Sequence, residues 1–194
     1  MQGLSKQLKR RIWLLTVGVA ILIIGASYTI AQQSTRLAAN DTPLATAQTV
    51  KHELENGAAP SNTTIGVKTD LSSDSTVFVI VTDSSSHILA SSARLNGQTP
   101  LPPAGVFSYT QVHGADHFTW QPASGIRLAT EVQRYGGGNN SGFVITGQSL
   151  SQAESRINTY GYLALAAIIG VIAWTSVLIY WPPELKSSET KKKR

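Results

Sequence analysis

Two stretches of the chain, residues 12–31 and 161–181, are apolar from end to end and carry no charge. At about 20 residues each and roughly 1.5 Å of rise per residue, both span a hydrocarbon layer of about 30 Å as helices. Between them the pattern turns first helical, then strand-like. Leu44, Ala47, Val50 and Leu54 recur at helical spacing. Ahead of them, Asn40-Asp41-Thr42-Pro43 predicts a break, with Thr42 capping a new helix and Pro43 in its first position, where the missing N–H has no partner to lose. Gly57 predicts the end of that helix, and residues 58–64 a polar linker.

The period then shortens to two. Residues 76–82 are a β-branched run that predicts a strand buried on both faces. Asp83 and Ser84 to Ser86 turn the chain into a second strand at 87–91. Residues 93–112 contain Pro100, Pro102 and Pro103 and predict loop and short helix. Residues 117–121 alternate, with Phe118 and Trp120 on one face. In 126–135, Ile126, Leu128, Thr130 and Val132 point away from Arg127, Ala129, Glu131 and Gln133. A glycine-rich hairpin over 136–142 leads to a last strand at 143–146, so three sequential strands form an antiparallel meander. Ser151 and Glu154 have capping-box spacing. No Gly or Pro follows before Tyr160, so one helix is expected to run on into the second apolar stretch.

Charge supplies the topology. The net +5 of this 194-residue chain is concentrated at its ends. Lys6, Lys9, Arg10 and Arg11 precede the first span. Lys186, Lys191, Lys192, Lys193 and Arg194 follow the second, against only Glu184 and Glu189. The intervening segment has nine acids to seven bases, which removes the case for nucleic acid. Basic flanks at both ends predict two cytoplasmic termini and an extracytoplasmic domain. The divisions expected are a basic N-terminus at 1–11, a span at 12–31, the domain at 32–158, a span at 159–181 and a basic tail at 182–194. The first span also has the basic start, apolar core and Thr29-Ile30-Ala31 ending of a signal peptide. Its length and the interfacial position of Tyr28 favour retention over cleavage. Trp13, Tyr160, Tyr162, Tyr180 and Trp181 sit where amphipathic rings prefer the headgroup level, and Pro182-Pro183 stops the second helix.

Catalysis finds no support in the motifs. The chain has no cysteine, no Gly-x-Ser-x-Gly elbow and no glycine-rich phosphate loop before a helix. His113, Asp116 and His117 are metal-ligand types. In extended structure, residues four apart are separated by about 13 Å, too far for one ion, so no metal and no cofactor is expected.

The hairpin Val77-Phe78-Val79-Ile80-Val81-Thr82-Asp83, Ser84 to Ser86, His87-Ile88-Leu89-Ala90-Ser91-Ser92 resembles the first hairpin of extracytoplasmic PAS-like domains. These are the Cache or PDC domains of bacterial membrane-bound histidine kinases and chemoreceptors. Phe118-Thr119-Trp120-Gln121-Pro122, Gly125-Ile126-Arg127-Leu128-Ala129 and residues 142–150 are similar to the last three strands and exit helix of that family. The resemblance covers roughly residues 43–156. It implies an α+β fold, a PAS-like antiparallel sheet with flanking helices between two transmembrane helices. It also implies a non-enzymatic sensor that detects an envelope signal or small ligand and relays it through the second span. Family members continue into a kinase or methyl-accepting module; only residues 182–194 follow here, so the partner would act in trans, as in a two-component system, or as a homodimer. The alternative is a structural or interaction subunit of an envelope complex with a degenerate sensor domain. A pocket in such a fold would gather Tyr109, Trp120, Arg127 and Tyr135, with Arg127 suited to a carboxylate. In the second span Ala166, Gly170 and Ala173 make a small-residue stripe for a close helix neighbour, either another protein or the first span. The basic tail suits anionic lipid.

Overall fold

The computed structural model describes residues 5–64, 68–136 and 141–180. Residues 137–140 of the expected hairpin, Trp181, the Pro182-Pro183 stop and the basic tail lie outside the described residues. In chain order the elements are α1 (Lys6–Glu55), α2 (Pro60–Thr63), β1 (Thr69–Asp70), β2 (Phe78–Asp83), β3 (Ile88–Ser91), β4 (Ala93–Arg94), α3 (Ala104–His113), β5 (Ala115–Ala123), β6 (Ile126–Tyr135), β7 (Gly142–Ser149) and α4 (Ser151–Tyr180). The chain divides into two units. One is Met1–Gln32 with Asn158–Arg194, the other Gln33–Ile157.

The first unit is a pair of helices. Both α1 and α4 contain stretches long and apolar enough to cross a membrane. Trp13, Val17, Ala20, Ile24 and Tyr28 are shielded positions on α1, and Gly161, Ala164, Ile168, Val171 and Thr175 are shielded on α4. Each set steps by three or four residues, the spacing of one helix face. Trp13 Nε1–H donates to Ser176 Oγ at 3.2 Å. The Tyr28 phenol lies over Gly161, where a Cβ would stand 3.5 Å from its hydroxyl. Thr16, Thr29, Thr175 and Ser176 donate to carbonyls four residues earlier, so these hydroxyls are satisfied within their own helices.

The second unit is mixed α+β, a five-stranded antiparallel sheet with flanking helices, in the order β3-β2-β7-β6-β5. Strands β5, β6 and β7 form the expected meander. β7 runs between β2 and β6, so its backbone is paired on both sides and its first six residues are buried. Alternation along the strands sorts their side chains onto two faces. Phe78, Ile80, Leu128, Val132, Phe143 and Ile145 meet Phe107 of α3 and Trp120 of β5 on one face. On the other, Val79, Val81, Tyr135 and Val144 meet Ala47, Val50 and Leu54 of α1. Gly147 lets the Phe78 ring cross β7; a Cβ there would stand 2.6 Å from that ring.

Two expectations are corrected. α1 does not break at residues 40–43 but runs through Pro43 to Glu55. An interior proline forfeits one backbone bond and crowds the preceding turn, at a cost of about 3 kcal/mol. Here Pro43 is fully buried, and its carbonyl accepts Thr146 Oγ1–H at 2.7 Å. The seat against the sheet outweighs the local preference to stop. Gly57 does end the helix as expected. With φ +89°, it allows Ala58 N–H to reach Glu53 O and its own N–H to reach Leu54 O. The anticipated capping box does not form: Ser151 N–H takes Ser149 Oγ, and Glu154 pairs with Arg127 instead.

Candidate functional site

The four pocket residues do not converge. Trp120 pairs with Leu128 across β5 and β6, so both lie on the α3 face, and Trp120 is buried against Phe78 with ring centroids 6.5 Å apart. Arg127 and Tyr135 are odd positions of strand β6, whose pairing with β7 is uninterrupted from Leu128 to Tyr135, and therefore lie on the opposite face. Tyr135 is buried there, donating to Thr82 O at 3.1 Å. A Cβ at Gly142 would stand 2.9 Å from its hydroxyl and 2.0 Å from Thr82 O, so this corner admits only glycine. Arg127 is exposed and bonds Glu154 in the first turn of α4. Tyr109 is on the outer side of α3, 49% exposed and stacked on His113. The four residues are therefore divided: Trp120 is core on one side of the sheet, Tyr135 is core on the other, and Arg127 and Tyr109 lie at the surface.

The small-residue stripe of α4 is also placed differently from the intrachain alternative. Ala166, Gly170 and Ala173 are exposed, and nothing lies within 4 Å of a Cβ built on Gly170. They follow Ala164, Ile168 and Val171 by two residues, roughly 200° around the helix, so the stripe faces away from the helix pair's own contact. Of the histidines, His113 bonds the carbonyl of Tyr109 in its own helix and His117 is exposed on β5, opposite Glu131.

Two features were not singled out from the pattern. The first is a cleft of about 290 Å³ lined by Ser84, Ser85, Ser86, Phe107, Gln111 and Phe143, among others. Asp83 shapes its rim: one carboxylate oxygen accepts Ser85 N–H and His87 N–H, each at 2.8 Å, and the other meets His87 Nδ1 at 3.1 Å. These bonds hold the Asp83 carboxyl below its ordinary range, the His87 backbone bond most of all. In the sequence this was visible only as a serine-rich turn.

The second feature is Glu131. Only 7% of it is exposed, and its carboxylate accepts Gln133 Nε2–H at 3.0 Å. Its cross-strand neighbours are His117 on β5 and Thr146 on β7, the residue that bonds Pro43 of α1. A buried carboxyl without a cation in contact is pushed above its ordinary range. Desolvation is the chief cause here; the Gln133 bond and His117 pull it down, and Asp116 raises it further. The available signal was the need of Ala47, Val50 and Leu54 for a surface to cover. That surface is the sheet face carrying Glu131, which looked polar and solvent-facing by alternation alone.

No family model, curated protein or solved structure matches the chain.

Proposed function

We propose that this protein is a non-enzymatic membrane sensor. Its PAS-like domain lies outside the cytoplasmic membrane, both termini lie inside, and a partner acting in trans receives the signal. The strand order supports the PAS-like reading. Taken in chain order, the five strands of the sheet lie second, first, fifth, fourth, third, as in PAS-like domains. The observation that carries the relay is continuity. The chain passes between the two units inside α1 and inside α4, with no loop at either junction, and only Leu150 separates the central strand β7 from α4. A passive tether has no need of such connections; a relay does. The cleft beside Ser84 to Ser86 is the candidate ligand site, its lining combining these serines and Gln111 with Phe107 and Phe143.

One observation favours the alternative, an interaction subunit of an envelope complex: Trp120 occupies the interior where a sensory pocket was expected. A thermal-shift screen of the full-length protein in detergent against small acids, amines, sugars and metals separates the two. A ligand at one hundred times its Kd adds about 2.7 kcal/mol, and Ser85→Trp should abolish the response if the cleft is the site. Silence toward every class would leave the ligand reading without support and favour the interaction subunit.

A further inference from the structure

We propose that Glu131 is a proton-binding site through which the domain reads acidity, the ligand being the proton itself. This deepens the sensor reading and rests on it. The geometry is a buried carboxyl on the sheet face that α1 covers, opposite Thr146, bonded by one neutral amide and, among the described residues, in no ion pair. Protonated, the group is neutral and suits its enclosure. Ionised, it places a poorly solvated charge next to Thr146, whose bond to Pro43 seats α1.

The surroundings contain little that could mask the effect. From β5, His117 and Asp116 act on the carboxyl with opposite signs. β7 presents Val144, Thr146 and Gln148 on this face, none of which titrates. The residues of α1 buried against the sheet, Pro43, Ala47, Val50 and Leu54, carry no charge. Arg36, Asp41, His52, Glu53 and Glu55 of α1 are exposed, Lys51 is half-buried, and none of these forms an ion pair with Glu131. The sign follows from the raised carboxyl. Its contribution to stability is complete below the ordinary value of 4.5 and is lost as pH rises through the higher value it has in the fold. Acid tightens α1 on the sheet, and rising pH loosens it.

The absence of native cysteine makes the test clean. Nitroxides at Gln48→Cys on α1 and Thr119→Cys on β5, both exposed positions, report the seating of the helix in the full-length chain in nanodiscs. Between about pH 5 and about pH 8 the distance distribution should shift in the parent protein and stay at its acid form in Glu131→Gln. Tm should fall further with rising pH in the parent than in the variant, because only the parent loses the contribution of the protonated carboxyl. His117→Gln should move the midpoint upward by removing the Coulombic influence that lowers the Glu131 carboxyl. Identical pH responses in parent and Glu131→Gln overturn the proposal. A second label pair, Ile12→Cys and Leu178→Cys, reads the spans. If the domain pair responds and the span pair stays silent, the proton site stands and the relay reading falls.

Discussion

The two faces of the sheet are held by different means. On the α3 side, Phe78, Trp120, Phe107 and Phe143 interlock, with the Phe107 and Phe143 rings edge-on at 5.2 Å. That side also buries Thr82, Thr110 and Thr130, whose hydroxyls have no hydrogen-bond partner among the described residues. The α1 side has smaller apolar groups, and its polar groups are paired: Thr146 to Pro43, Gln133 to Glu131, Tyr135 to Thr82. Non-directional apolar burial carries the first face and tolerates orphan hydroxyls. Directional bonds seat the second, and such bonds can be broken one at a time. A face held by bulk apolar packing and a face held by single directional bonds are thus separated by the thickness of one sheet.

The largest expected effect lies on the α3 side. Trp120→Ala should cost about 3–5 kcal/mol and lower the urea midpoint for the whole domain, because the cavity cannot collapse between β5 and Phe78. Full tolerance of this change would mean that the aromatic cluster is not what holds that face. On the α1 side Thr146→Val should cost about 1–2 kcal/mol, since the shape is kept and only the bond to Pro43 is lost. Hydrogen exchange should quicken over residues 43–54 and leave α3 unchanged. Equal quickening in both helices would erase the distinction between the faces.

How far the sequence foreshadowed this contrast depends on whether the signal was local. The β-branched run at 76–82 and the meander were readable because alternation and turn residues act over a few positions. Pro43 misled because its local preference is to end a helix, while its buried seat is made by Thr146, which lies 103 residues away. The pocket residues misled for a related reason. Residue type marked Trp120, Arg127 and Tyr135 as suitable, but the pairing of Trp120 with Leu128 decides the face, and that is a matter of register. Glu131 was hidden because alternation shows which residues share a face and not what covers it.

The same substitution should have opposite signs on the two faces. Thr110→Val replaces a fully buried hydroxyl that has no partner, so it should be neutral or stabilise by up to about 1 kcal/mol, in contrast to the loss at Thr146. Thermal denaturation of the two Thr→Val variants side by side makes the comparison internal. A loss at Thr110 equal to that at Thr146 would show that its hydroxyl is engaged after all.

The smallest effect is expected at the rim. Arg127 and Glu154 are 51% and 43% exposed, so solvent screens their attraction, and Arg127→Ala should change stability by no more than about 1 kcal/mol. The pair nevertheless joins β6 to the first turn of α4, beside the Leu150 N–H bond to Arg127 O. Its loss should therefore leave Tm nearly unchanged while raising hydrogen exchange over residues 151–157. A large fall in Tm would mean that the start of α4 is part of the core, so that directional bonds seat more of the domain than the α1 face alone.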